Sequence, residues 1–389
     1  MLALNAMFTF VVVNWLSFHF NWSNNIAASS SPKFCLQQCT LNALINCLDV
    51  FTVPPDFYNE STYAAAQPRD EENAAWMSVI TAMLNTNTAD CTDVALPSPL
   101  KNIYAVTLFT DLDTKKAFCV FSETTALSNN TFAKGWGTMV VPASTKDISR
   151  HIHLSAPHPQ ADMHTPQQAG AMFTLSGAHS LLISGRFRSA YSSPTNCTLS
   201  VNSKTVFYKT DPAHDVDEPF HSANRIIREW QNANGGCPSE TCAYVQIHGK
   251  AASTCRESTI FVSSGLGTSE SSLAWYRNRT LDIPARRLRD EAKVLFPTWN
   301  VSLPSDDSSC GLTATTNVFG RLLNGVAHAS VCTTEATSGG ATGEFIHIEQ
   351  AIVSRVSDAY EQWGEVLRRT FRTECAEGMV EDYARGLCI

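Results

Sequence analysis

The chain has 389 residues, is 44% hydrophobic and 16% charged, and carries a net charge of -8. These values describe a globular rather than disordered chain, with enough length for one large domain or two smaller ones. A negative balance without a basic run leaves no electrostatic footprint for nucleic acid or for anionic lipid.

Residues 7–16 (MFTFVVVNWL) are an apolar run of signal-peptide length, followed by small residues at 27–31. Together they predict a signal peptide over 1–28, with a retained N-terminal anchor as the alternative. The run is short for a bilayer span and Asn14 interrupts it, so no stable membrane span is expected after signal removal. Residues 29–33 (SSSPK) read as a linker. Cys35, Cys39, Ala43 and Cys47 recur every four residues beside Leu41, Leu44 and Leu48, which predicts one disulfide-tethered helix over 35–50. A second helix is expected at 73–84.

From Ile103 the period changes to two. Residues 103–111, 116–123, 137–143 and 152–158 read as successive strands. Thr165-Pro166 opens a helix, with Thr165 as its cap, and Gly177 ends it. A strand at 180–185, a helix at 219–231, strands at 243–248 and 259–265 and a long helix at 350–371 complete the pattern. Strands alternating with helices predict an α/β fold with an apolar, largely buried central sheet.

Thirteen cysteines without a CxxC pair argue against a zinc ribbon and for up to six disulfides with one thiol left over. Cys237–Cys242, Cys310–Cys332 and Cys375–Cys388 are the local pairs that spacing suggests. Asn-x-Ser/Thr sequons stand at Asn21, Asn59, Asn129, Asn196, Asn278 and Asn300. Sequons beside many cysteines fit a secreted, extracellular glycoprotein.

The chemistry concentrates at strand ends. After the strand leading to Pro157, a loop releases His158, Asp162 and His164. Later runs place His248 at the end of AYVQIH, and His347 and Glu349 in EFIHIEQ. His347, Glu349 and Phe345 share one face of a strand while Ile346 and Ile348 take the other. A hydrolytic zinc site needs about three N or O ligands, an open position for water and a nearby carboxylate base. His158, His248 and one acidic group meet the first need and Glu349 the last. Against this, a lone strand-end histidine is more often structural, and Glu349 could simply pair with Arg188 or Arg321.

Two further patches stand out. Arg186 and Arg188, two apart after SLLIS, would face one side if extended and present a fork suited to a carboxylate. The segment 211–221 holds Asp211, His214, Asp215, Asp217, Glu218 and His221. Its histidines are candidate proton donors or extra ligands, and its acidic members read as a solvated loop. The segment from Asn317 to Gly325 reads as a substrate-contacting loop. GxSxG, HExxH, Walker and dinucleotide-fingerprint motifs are absent.

The run APHPQADMHTPQQA, with QIHG and FIHIEQ following in order, resembles phage poly-gamma-glutamate hydrolases, a family similar in fold to the zinc carboxypeptidases. The resemblance covers roughly residues 150–355 in short patches. It implies a mixed central sheet flanked by helices, a Zn2+ cofactor held by His158, Asp162 and His248, and Glu349 as general base. Arg188 would anchor a substrate carboxylate. The family's usual Glu is replaced by Asp162 at altered spacing, and its HGG signature by His158-Pro159-Gln160. The second ligand is therefore open between Asp162 and His164. The expected organisation is a helical region at 35–102, a zinc hydrolase-like catalytic domain at 103–375 and a disulfide tail at 376–389. The expected activity is amide hydrolysis of a small-molecule, peptide or polymer substrate. The alternatives are a non-catalytic secreted binding protein on the same scaffold and a metal phosphoesterase.

Overall fold

The computed structural model describes residues 31–199 and 205–389. The expected signal peptide and the sequon at Asn21 lie outside the described residues. The apolar runs that alternate with polar side chains become β1 (Tyr104–Thr110), β2 (Ala117–Glu123), β3 (Thr138–Pro142), β4 (Arg150–Ala156), β5 (Ala178–Ile183), β6 (Cys242–Gly249), β7 (Ile260–Ser263), β8 (Val301–Ser302) and β9 (Phe345–Gln350). They form one nine-stranded mixed sheet in the order β1-β2-β3-β5-β4-β6-β9-β7-β8. β5, β4, β6 and β9 run parallel at its centre. β1, β2 and β3 are antiparallel on one side, and β7 is antiparallel to β9 on the other.

The helices are α1 (Leu41–Asp49), α2 (Glu60–Ala66), α3 (Asp70–Leu84), α4 (Thr165–Ser176), α5 (Pro219–Ala233), α6 (Glu270–Arg277), α7 (Pro284–Leu295), α8 (Val318–Leu323) and α9 (Tyr360–Thr370). Side-chain alternation divides the core between the two faces of the sheet. Ile152, Leu154, Val245, Ile247, Ile346 and Ile348 pack under α1, α4, α7 and α9. Tyr244 and Phe345 point the other way, toward α3, α5 and α8. Each fully buried Ile or Leu stabilises the fold by about 1.5–3 kcal/mol. The outcome is an α/β protein with a large mixed sheet flanked by helices. Ser31–Ile389 forms one compact unit.

Three local expectations need correction. The helix expected over 35–50 is two elements, a 3-10 turn at Pro32–Gln37 and then α1. Thr40 separates them because its hydroxyl caps α1, accepting from Ala43 N–H at 3.2 Å. The helix expected over 350–371 begins only at Tyr360. Gln350 instead ends β9, its side chain exchanges 2.9 Å bonds with Gln168, and Ala351 N–H donates to the Thr259 carbonyl. These bonds hold the chain extended there, and 3-10 turns follow. Thr165 is the first residue of α4 rather than its cap; that position falls on His164, whose φ is 70°.

Six disulfides close the chain: Cys35–Cys47, Cys91–Cys119, Cys197–Cys332, Cys237–Cys242, Cys255–Cys310 and Cys375–Cys388. The leftover thiol is Cys39, which is exposed. Cys310 and Cys332 do not join each other. Ser258 and Asp307 hydrogen-bond at 3.2 Å and hold the Cys310 segment against the loop carrying Cys255, so Cys332 takes Cys197. Cys388 pairs with Cys375 beside a two-stranded ribbon, β10 (Glu381–Asp382) and β11 (Leu387–Cys388). Arg150 pins this tail by donating to the carbonyls of Phe371, Gly386, Ser176 and Arg368.

Candidate metal centre

β4 stops at Ala156, and the chain turns sharply at Pro157 to Gln160, where φ is 58°. Asp162 N–H donates to the His158 carbonyl at 2.9 Å, and Thr165 N–H to the Asp162 carbonyl at 3.1 Å. This turn folds both acid and imidazole inward ahead of α4. Two strands away, the β6–β9 register sets His248 beside Glu349 and Gln246 beside His347. All four lie on the face opposite Ile247, Ile346 and Ile348, as the alternation in the sequence requires.

Three buried donors converge there. Nδ1 of His158 is 3.0 Å from Oδ2 of Asp162. Nδ1 of His248 is 3.5 Å from the same oxygen and 3.2 Å from Nδ1 of His158. A tetrahedral zinc ion with bonds of about 2.0–2.1 Å separates its donors by about 3.3–3.4 Å, and the observed distances bracket that spacing. The outer nitrogens are engaged as metal-binding histidines require. His158 Nε2 is 3.0 Å from Oδ1 of Asp211. His248 Nε2 is 3.5 Å from Oε1 of Gln246, which accepts from Asn317 Nδ2 at 2.8 Å. Such bonds fix the tautomer and aim the inner nitrogen. Nδ1 of His347, Nε2 of Gln246 and Nε of Arg355 are buried without hydrogen-bond partners. An N, N, O donor set at these separations could hold a metal ion such as zinc.

The charges agree. Burial alone would lower the His158 pKa, but the carboxylates of Asp211 and Asp162 overcome it and raise it to about 9. Burial opposes ionisation of Asp162, yet His158 and His248 hold it well below the ordinary carboxylate range. Asp211 is likewise held down against burial by His214 and His158. His248 is lowered to about 4 by burial, against its bond to Asp162. Two ionised carboxylates thus demand a cation at His158. A proton on the imidazole meets that demand here, and a metal dication among the three donors would meet it too. Burial and then the Asp162 charge push Glu349 up to about 8. His347, whose Nε2 is 3.6 Å from Glu349 Oε1, is driven down by burial and by His248. His248, His347 and Glu349 form a second group of mutually close donors.

The remaining candidates fall out differently. His164 is exposed at the start of α4, outside both donor groups. Arg188 is exposed, and its charge acts on Glu349. Arg186 does not share that setting. It is fully buried, pairs with Glu218 at 2.7 Å and donates to the carbonyls of Lys134 and Ala66. His214 joins the centre indirectly: its Nδ1 is 3.0 Å from Asp211 Oδ1, its Nε2 is 3.2 Å from Thr316 Oγ1, and its ring stacks on Phe207. His221 touches none of these groups; it is buried, faces His328, and is lowered to about 3 by burial. The segment 317–325 is mostly α8, and Arg321 donates to the carbonyls of Thr315, Val331 and Cys332 rather than to Glu349. The solvated reading of the acidic loop holds for Asp217 alone, because Asp211, Asp215 and Glu218 are buried on partners.

Asp211, Gln246 and Arg355 escaped assignment from sequence, and His347 was placed on the Glu349 face without a role. Asp211 carried a signal, since it opens a histidine-rich segment. Arg355 carried none, because its run imitates a helix. No protein-family model and no curated protein matches the chain.

Proposed function

We propose that the chain is a secreted, zinc-dependent hydrolase of carboxypeptidase-like fold that cleaves an amide bond, in a peptide or a gamma-glutamyl-like substrate. One observation carries this reading: His158 and Asp162 of one loop and His248 of β6 converge beside Glu349 of β9. The resemblance to poly-gamma-glutamate hydrolases and the mixed, helix-flanked sheet support it. His158, Asp162 and His248 would hold a zinc ion, which would supply acidified water and Lewis-acid polarisation of the scissile carbonyl. Glu349 takes the proton of the attacking water on its carboxylate and returns it to the leaving nitrogen. Asp211 holds His158 in register and links it to His214. Arg188, exposed at the rim, meets a substrate carboxylate.

Six disulfides support secretion into an oxidising compartment. So do the sequon residues Asn59, Asn129, Asn196, Asn278 and Asn300, which are all exposed. Among the described residues no helix is long and apolar enough to cross a membrane. The test is metal analysis of the purified protein with a peptide and gamma-glutamyl amide panel. One zinc per chain and Glu349-dependent amide cleavage are expected. Protein without stoichiometric zinc, or zinc-loaded protein whose Glu349→Gln variant cleaves as fast as wild type, overturns the reading.

A further inference from the structure

β4 carries His151 near its start and delivers His158 just past its end, so His151 lies at the far end of the strand from the donor group. Its neighbour across the ladder is His179 of β5, which runs parallel to β4. Between the pairs Arg150–Ala178 and His153–Ser180 the ladder holds one extra residue on β4. Such a bulge re-aims a side chain. Here it leaves Nδ1 of His151 3.4 Å from Nδ1 of His179. An N–H hydrogen bond in a protein ordinarily spans about 2.7–3.2 Å. The two nitrogens stand farther apart than that, at the spacing of about 3.3–3.4 Å between two donors on one tetrahedral zinc ion.

The surroundings fix both rings. Nε2 of His151 faces the Glu374 carboxylate at 3.8 Å, which draws the ring proton to that nitrogen and leaves the lone pair on Nδ1. His179 is 3% exposed, held between the His153 ring, stacked on it at 5.4 Å, and the Trp230 ring at 4.8 Å. Burial lowers the pKa of His151, and burial with the neighbouring histidines lowers that of His179. Both are therefore the neutral imidazoles that metals bind. His153 does not join them, because Ser180 Oγ at 2.8 Å and Gln231 Oε1 at 3.0 Å occupy its two nitrogens. The His151 side chain is 27% exposed, so the pair is reached from solvent.

We propose that His151 and His179 hold a second zinc ion through one Nδ1 each, bridging β4 and β5, with water completing its coordination. Imidazole donors at tetrahedral spacing suit zinc. His151 and His179 belong to no group of three close donors among the described residues. The site is thus bidentate, weaker than the donor group at His158, and its ion exchanges with solvent. It stands whether or not the donor group at His158 is catalytic.

The test is zinc titration of the full chain, dialysed free of metal, against a chelating dye, with the exposed Cys39 thiol alkylated. Wild type should take up two zinc ions, the second with a dissociation constant on the order of micromolar. His151→Gln should weaken the second step about tenfold or more and leave the first unchanged. Asp162→Ala should do the reverse. His328→Gln, which removes another exposed histidine, should change neither step. His179→Gln should match His151→Gln. His179 is buried, so melting temperature is read on every variant, and His151→Gln decides alone if His179→Gln fails to fold. In nitrogen NMR, zinc should shift the Nδ1 resonances of His151 and His179 together. A single zinc step in wild type, or a second step that survives in folded His151→Gln protein, overturns the inference. Loss of the first step with the second intact removes the hydrolase reading and leaves this site standing.

Discussion

Oδ1 of Asp211 lies 3.0 Å from Nε2 of His158, on the side of the ring away from Asp162 and His248. Asp211 therefore decides which nitrogen of His158 carries a proton and which faces the donor group. Asp211→Ala should weaken zinc binding by about 10–100-fold, measured by competition against a chelator. The effect should exceed that of His214→Ala, because His214 reaches the centre only through Asp211. Equal affinity in wild type and Asp211→Ala would show that Asp211 has no orienting role.

The second ligand is separable by substitution. Asp162 is buried between two imidazole nitrogens, whereas His164 is exposed and outside both donor groups. Asp162→Ala and His158→Ala should each lose stoichiometric zinc in elemental analysis, and His164→Ala should keep it. Zinc loss in His164→Ala with retention in Asp162→Ala would reverse the assignment.

Strand-end chemistry was the legible part of this chain. The period of two in FIHIEQ put His347 and Glu349 on one face, and the register set Glu349 beside His248. That register is long-range, so no local pattern contains it. The same limit explains Cys310 and Cys332: their nearness in sequence suggested a pair, but folding carried each to a distant partner. Arg355 was hidden because apolar spacing over 350–371 imitates a helix, while the bonds that stop the helix come from Gln168 and Thr259. Arg186 and Arg188 looked alike because burial is invisible in two arginines two positions apart in sequence.

Buried titratable groups set the pH response. His153 is buried between Ser180 and Gln231, and burial lowers it to about 3 from 6.5. Between those values the unfolded chain holds a proton that the folded chain lacks, so stability falls as pH drops through this window. Glu123 has the opposite sign. Burial raises it from 4.5 to about 7 despite its bonds from Lys134 and Gly135 N–H, so its share of stability falls as pH rises between those values. The two slopes oppose each other over most of the mildly acidic range. Below the ordinary Glu value the Glu123 slope is gone, and His153 acts in the same direction as His221, Asp162 and Asp211, whose lowered pKa values also make their shares of stability fall as pH falls. Melting temperature should therefore fall most steeply below about pH 4.5. His153→Gln should flatten the acid limb. An acid limb of unchanged steepness in that variant would remove His153 from the account.

Arg186 and Arg188 should separate stability from binding. Arg186 is fully buried on Glu218, with its Cζ 5.5 Å from the Tyr58 ring and 5.7 Å from the Tyr63 ring. Removing one partner of a buried pair leaves the other charge uncompensated, so Glu218→Ala should cost about 3–5 kcal/mol in denaturant unfolding. Zinc binding by the folded fraction should be unchanged, because neither residue belongs to the donor groups. Arg188 is exposed, and Arg188→Ala should alter stability by no more than about 0.5 kcal/mol. Its effect should appear instead as weaker binding of carboxylate-bearing amides, with zinc content intact. A large stability loss in Arg188→Ala would make it a structural arginine like Arg186 and remove it from the substrate's path.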